Sequence, residues 1–321
     1  MWAALFPGQG SQHVGMGKFL YDNFSLAKEI FDEAGDALSV DFKKLCFEGP
    51  ESELALTHNT QVCLLLVSTV THRVLSSEVS FKPIAGAGHS VGEYAALVAA
   101  GSLPFSTAIK VVRKRGEYMQ SAVAVGQGAM VAVIGVTPGQ MTELCEWTQK
   151  ESGLGPLEPA NYNAPGQIVA SGRKQAIDWL VENYTANAFC GERPRRVKFI
   201  PLKVSAPFHC SMMKPAEDQM RKTLENTPFS DANYPVVQNF TAEAVKEGHI
   251  LCENLIRQVS APVRWMECVE SLVQMGSRKV VELGCGQVLS GLVKKIDSTQ
   301  LETFNINSIE DLKAVKQALQ S

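Results

Sequence analysis

The chain has 321 residues, 45% hydrophobic and 20% charged, with a formal net charge of -3 at pH 7. This is ordinary globular composition, long enough for one large domain or for a large and a small one. It excludes a generally basic nucleic-acid binder, whose electrostatic footprint is a positive surplus or stripe, so any partner preference must come from local patches.

Residues 1–7 form a short apolar run with no basic segment before it and no small-residue cleavage site after it. It reads as a first strand, over 3–6, rather than as a signal peptide, and a cytoplasmic location is expected. Further short runs rich in Val and Ile at 83–87, 130–135, 168–171, 197–202, 236–239 and 279–283 predict strands, with stretches of helical period in most intervals. That alternation predicts an α/β architecture with a largely parallel sheet. The most apolar helical stretches, 62–74 and 94–100, are too short and too interrupted by polar residues to span a bilayer, so no membrane partner is expected.

Residues 128–198 follow a different pattern, running strand, helix over 138–150, strand, helix over 174–183, strand, bounded by Gly-rich and Arg-rich loops. This order predicts a small α+β insert in the larger unit. Cys46, Cys63, Cys145, Cys190, Cys210, Cys252, Cys268 and Cys285 include no CxxC pair, and no His stands at zinc-finger spacing from them. They read as free thiols rather than as disulfides or metal ligands, with Cys210 a small apolar filler beside His209.

Gly88-His89-Ser90-Val91-Gly92 matches G-x-S-x-G and stands where that motif belongs, after the apolar segment 83–87 and before a helical run over 93–100 closed by Gly101. A nucleophile there needs a sharp turn that pushes its hydroxyl out of the sheet. Only small residues two before and two after the Ser allow the backbones to approach that closely, and Gly88 and Gly92 supply them. The free N–H of Val91 at the helix start would then face a forming oxyanion. From the pentapeptide alone, nucleophile and helix N-cap are equally good accounts of Ser90.

In the helix expected over 105–122, Ala108, Ile109, Val112 and Met119 define an apolar stripe, and Arg115 lies on it. Lys110, Arg113, Lys114 and Glu117 fall on or near the opposite face. An inward guanidinium requires a partner. An internal salt bridge would serve; so would the free carboxylate of a bound acyl group, gripped by the planar fork as neither Lys nor an apolar residue could.

Of the six histidines, His209 is the best placed to act as a base, because it follows a strand-like run and sits in Ser205-Ala206-Pro207-Phe208-His209-Cys210, where the proline and apolar neighbours fix a loop at a strand end. His89 is tied to the turn and supports the elbow. No Asp or Glu stands in an obvious position to complete a triad, and a backbone or amide carbonyl could orient the imidazole.

Phe6-Pro7-Gly8-Gln9-Gly10-Ser11-Gln12, Gly88 to Tyr94, Arg115-Gly116, Asn161-Tyr162-Asn163-Ala164-Pro165-Gly166-Gln167 and Pro207-Phe208-His209, in that order, closely resemble the malonyl-CoA:acyl carrier protein transacylase family, including the acyltransferase units of polyketide synthases. The resemblance implies Ser90 as nucleophile, His209 as base, the backbone carbonyl of Gln258 orienting it, and Gln9 with the Val91 N–H as the oxyanion hole. It implies Arg115 as the holder of the malonyl carboxylate, with Phe208, Asn161, Met119 and Gln61 also contacting substrate. For the fold it implies an α/β-hydrolase-like large subdomain over 1–127 and 199–321 and a ferredoxin-like small one over 128–198. Two residues depart from common family patterns: Phe208 resembles the malonyl-selective polyketide enzymes, and Cys285 replaces a frequent Pro, for which only a structural effect is expected.

The activity so implied is malonyl transfer from malonyl-CoA to the phosphopantetheine thiol of an acidic acyl carrier protein. It would serve fatty-acid synthesis, or alternatively a polyketide synthase, and would be carried out by a monomer with no permanently bound cofactor or metal. A serine thioesterase would use the same elbow with water as acceptor, whereas a non-catalytic carrier-binding module would lack the Ser, His or Arg. The basic run Arg193-Pro194-Arg195-Arg196-Val197-Lys198 could steer an acidic carrier or be a solvated loop. Gly8-Gln9-Gly10 and Gly284-Cys285-Gly286 do not continue as G-x-G-x-x-G, so no dinucleotide is expected.

Overall fold

A computed structural model describes residues 1–297 and 299–320. In chain order its strands are β1 (Trp2–Phe6), β2 (Ala85–Gly88), β3 (Gly128–Ile134), β4 (Leu157–Ala164), β5 (Gln167–Arg173), β6 (Lys198–Pro201), β7 (Val236–Val237), β8 (Ala244–Val245), β9 (Lys279–Glu282) and β10 (Glu302–Asn305). The larger sheet has the order β10-β9-β1-β2-β7-β8, parallel except for the β7–β8 pair. Strands covered on both faces read as continuous apolar runs rather than alternating ones, which is why Ala3, Ala4, Leu5 and Phe6 are all fully buried.

The chain adds strands to one side of β1 first and returns to its other side with β9. Ligand crevices form at the carboxyl ends of parallel strands where the order reverses in this way. The register Phe6↔Gly88 sets the ends of β1 and β2 side by side, so the loop after β1 meets the turn after β2. Three helices frame that point: α1 (Thr57–Glu78), buried from Thr57 through much of its length; α2 (Gly92–Ala99); and α3 (Phe105–Ser121).

The smaller sheet is antiparallel, in the order β4-β5-β3-β6, and is covered by α4 (Pro138–Ser152) and α5 (Lys174–Asn183) around a core that includes Val131, Val133, Met141, Leu144, Ile168, Ile177 and Leu180. A capping box starts α4: Thr137 accepts from the Gln140 N–H and the Gln140 side chain accepts from the Thr137 N–H.

Four strands differ from expectation, the two-residue β8 among them, which pairs only with β7 and is too short for the sequence pattern to show. The sequence does not predict β4 as a separate strand, so the insert runs strand, helix, strand, strand, helix, strand. The β4 segment carries Pro159, Asn161 and Asn163, which disfavour strands, and its pairing with β5 shifts register twice, a break that an edge position tolerates. β10 is an edge strand of polar character that periodicity does not flag. The strand expected over 236–239 ends at Val237, because Gln238 and Asn239 turn their amides to buried partners at the elbow.

The eight cysteines are free thiols. Cys210 is buried and donates to the Pro207 carbonyl at 3.2 Å, as a filler would; Cys285 is buried and donates to the Ser11 carbonyl at 3.3 Å. Among the described residues no helix is long and apolar enough to cross a membrane.

Candidate active site

Ser90 sits between β2 and α2 with φ 53, a left-handed conformation that is strained for a residue with a Cβ and typical of functional turns. The glycines around it are sterically required. A Cβ on Gly88 would lie 2.0 Å from the Gly92 carbonyl carbon, one on Gly92 would lie 2.1 Å from the Phe6 carbonyl oxygen, and one on Gly8 would lie 2.3 Å from the His89 carbonyl oxygen. The loop carrying Gln9 therefore rests directly on the elbow. The Val91 N–H makes no hydrogen bond within the described residues.

His209 is brought in from 119 positions away, and its Nε2 lies 2.7 Å from Ser90 Oγ. Its Nδ1 lies 3.0 Å from the Gln258 carbonyl oxygen. That carbonyl can only accept, so Nδ1 carries the proton and Nε2 is free to accept the serine proton. Burial, and secondly the nearby Arg115 charge, pull the His209 imidazole down to about 3 against the opposing pull of the Gln258 carbonyl, so it is neutral at neutral pH. His209 is also left-handed, at φ 60, and the ring of Pro207 packs where a Gly128 Cβ would be, 2.3 Å away, locking the loop to the start of β3.

Arg115 is fully buried on α3. Nη1 donates to Gln61 Oε1 at 2.7 Å, and Nη2 donates to Gln258 Oε1 at 3.0 Å and to Ser90 Oγ at 3.1 Å. Nε has no acceptor among the described residues, and the guanidinium lies 5.6 Å from the Tyr94 ring centroid. The internal salt bridge that would have explained an inward arginine is not what it makes: its acceptors are two amides and a hydroxyl.

Gln9, Gln61, Met119, Asn161 and Phe208 line a cavity of about 90 Å³ over Ser90 and His209, completed by His89, Met130, Leu202 and Val204. That volume has room for a short acyl group beside Ser90. His89 holds Asn163 Oδ1 at 2.8 Å and packs on Trp265, supporting the elbow as expected.

Sequence reasoning missed Asn239 and Glu93. Asn239 Oδ1 accepts from the Ser90 N–H at 2.7 Å and its Nδ2 donates to the Gly88 carbonyl at 2.8 Å. The available signal was an amide at the carboxyl end of a strand, where parallel sheets build their sites. Glu93 is a carboxylate inside an otherwise apolar helical run. For Gln258 the expectation covers its carbonyl alone, but its side chain also ties Arg115 to the Ser90 carbonyl, to which Nε2 donates at 3.1 Å.

A hydroxyl already sharing its proton with a neutral imidazole, on an elbow at the carboxyl end of a parallel sheet, is the equipment of enzymes that pass acyl groups through a serine ester. The chain belongs to the acyl transferase domain family, whose profile matches residues 4–308. It is 41% identical over 317 residues to the malonyl CoA-acyl carrier protein transacylase of Bacillus subtilis strain 168, covering 99% of this chain and 96% of the relative. Its fold matches that of the acyl-carrier-protein-S-malonyltransferase from Bartonella henselae with a TM-score of 0.92 at 36% identity, over 100% of this chain and 99% of the other. A malonyl-transacylase solved in complex with a type II polyketide synthase acyl-carrier protein matches with a TM-score of 0.91 at 36% identity, over 99% of each chain.

Proposed function

We propose that this chain transfers a malonyl group from malonyl-CoA to the phosphopantetheine thiol of an acyl carrier protein, for fatty-acid synthesis. The observation that carries the proposal is a buried Arg115 with only neutral acceptors and an unpaired Nε, beside the Ser90–His209 pair. A buried cation whose direct hydrogen-bond acceptors are all neutral is costly, and a ligand carboxylate supplies a charged one.

In this mechanism His209 Nε2 takes the Ser90 proton as Oγ attacks the thioester carbonyl. The oxyanion is held by the N–H of Val91 and by Gln9 until the CoA thiol leaves with the proton. The carrier thiol then reverses the steps. Arg115 holds the malonyl carboxylate in both halves, exchanging its contact with Ser90 Oγ for the substrate, while Gln61, Met119, Asn161 and Phe208 confine the acyl group. Acyl exchange between thiols is redox-neutral and its protons pass through His209, so no bound cofactor or metal is required. We further propose a cytoplasmic monomer without membrane or nucleic-acid partners, its site built wholly from one chain. Phe208 and the likeness to the polyketide-synthase malonyl-transacylase point to a polyketide role, but the higher identity, 41%, is to the Bacillus subtilis malonyl CoA-acyl carrier protein transacylase.

The larger sheet with its helices supports an α/β-hydrolase-like catalytic subdomain over 1–127 and the C-terminal part. The strand order β4-β5-β3-β6 supports a ferredoxin-like subdomain from 128. Because β6 pairs with β3, we place its end at Pro201 rather than at Lys198.

Intact-protein mass after mixing with malonyl-CoA tests the reading. A malonyl adduct that moves to added carrier protein is the expected result; discharge to free malonate alone would make the chain a hydrolase.

Arg193, Arg195, Arg196 and Lys198 are exposed between α5 and the end of β6. We propose that they steer the acidic carrier. Reversing these charges is expected to raise KM for the carrier protein in low salt and leave KM for malonyl-CoA unchanged; an unaltered carrier KM removes the idea.

A further inference from the structure

The network under Ser90 contains a carboxylate that the mechanism does not use. Glu93, in the first turn of α2, is fully buried. Its Oε1 accepts from Gln238 Nε2 at 3.0 Å and its Oε2 from the Asn239 backbone N–H at 2.7 Å. Both donors are neutral. Gln238 is held in turn by Asn254, which donates to it at 2.8 Å, and by the Leu251 carbonyl. Asn239 grips the elbow at two points, the Ser90 N–H and the Gly88 carbonyl. Gln258 reaches Arg115 and the Ser90 carbonyl, and donates at 3.4 Å to the same Asn239 oxygen. A chain of buried amides therefore runs from Glu93 to both the serine turn and the guanidinium.

We propose that Glu93 is a positioning residue with two effects: through Asn239 it holds the Ser90 turn, and as the carboxylate of this buried network, linked to Arg115 through Asn239 and Gln258, it sets how strongly that guanidinium grips a substrate carboxylate. The inference rests on the malonyl-transfer reading. An ionised carboxylate, which only accepts, matches the two N–H donors that face it. Burial pushes the Glu93 carboxyl up to about 7, while its bonds to Asn239 and Gln238 and the Arg115 charge pull it back.

The other titratable groups facing this network are Tyr94 and Cys268, both pushed up by burial, and His209, pulled down; all three stay neutral around neutral pH. Below its pKa Glu93 is protonated and leaves Arg115 an uncompensated cation. Above it, the Glu93 charge competes with the substrate carboxylate. Malonyl affinity is thus expected to weaken as pH rises through neutrality, and by linkage malonyl binding favours the protonated Glu93.

The test compares KM for malonyl-CoA with the inhibition constant of acetyl-CoA, which shares the CoA moiety but lacks the carboxylate, from about pH 6 to about pH 8.5. In the wild-type enzyme the ratio of the malonyl KM to the acetyl-CoA constant is expected to rise about fivefold over that range. In Glu93→Gln the ratio is expected to stay flat and kcat to fall about tenfold, because the amide turns a donor toward Gln238 or Asn239 and shifts the elbow. A flat ratio in the wild type, or the same rise in Glu93→Gln, overturns the inference. The wild-type profile decides it even if the variant does not fold. A wild-type enzyme with no malonyl transfer at all would instead overturn the reading on which the inference rests.

Discussion

Ser90→Ala is expected to lower kcat for malonyl transfer by about 10⁴- to 10⁶-fold and to abolish the malonyl adduct seen by mass. The proposed ester is on the Ser90 hydroxyl, whose Oγ lies 2.7 Å from His209 Nε2 on an elbow with a left-handed φ. The substitution removes one contact of Arg115, the bond from Nη2 to Ser90 Oγ at 3.1 Å, but that contact is the one exchanged for the substrate carboxylate, so the dissociation constant for malonyl-CoA is expected to change little. Because serine and histidine act as one unit, His209→Ala is expected to cost a similar factor and the double variant little more. Steady-state kinetics with intact-protein mass decide this; an adduct persisting in Ser90→Ala would move the nucleophile elsewhere.

Arg115→Ala is expected to reduce kcat/KM for malonyl-CoA by about 10²- to 10³-fold, on the scale of losing one partner of a buried charged pair, and to reduce the activity with acetyl-CoA far less. The preference for a carboxylated acyl group then collapses. Arg115→Lys is not a rescue, since a single ammonium cannot reach Gln61, Gln258 and the substrate together as the fork does. The effect on folding is small by comparison: two amide oxygens and the Ser90 hydroxyl lose a donor, but a buried charge whose desolvation already lowers its own proton affinity is removed. Competing malonyl-CoA against acetyl-CoA reads the ratio directly. Full retention of malonyl preference would assign the carboxylate contact to another residue.

The neutral state of His209 bears on both experiments. Its imidazole is held near 3 by burial and by Arg115, so the base stays deprotonated through the ordinary histidine range. Replacing Arg115 removes the second of those causes, and the base is expected to become easier to protonate. Some of the loss in Arg115→Ala therefore falls on kcat with any acyl donor, and it grows as pH falls.

The sequence by itself determined what depends on neighbours close along the chain. Gly88, Ser90 and Gly92 announce a turn that only small flanking residues permit, and the contacts a Cβ would make there bear that out. The 3.6-residue period placed Arg115 on the buried stripe of its helix, where it lies. The alternation of strand and helix gave the α/β class, and the distinct element order of 128–198 marked the second sheet. Tertiary structure alone decided what satisfies the buried groups. Asn239 reaches the Ser90 N–H across 149 positions, and Gln258 sits 143 from Arg115 and 49 from His209. No local pattern encodes those pairings, because they follow from strand order and register, which bring the carboxyl ends of β1, β2 and β7 to one edge. The same cause hid β4: Pro159 and the asparagines contradict local strand propensity, and only pairing with β5 on one side and the Val263 segment on the other makes the strand. Whether Arg115 met a carboxylate or amides was likewise a matter of which side chains the fold carried to it, and it carried the amides of Gln61 and Gln258.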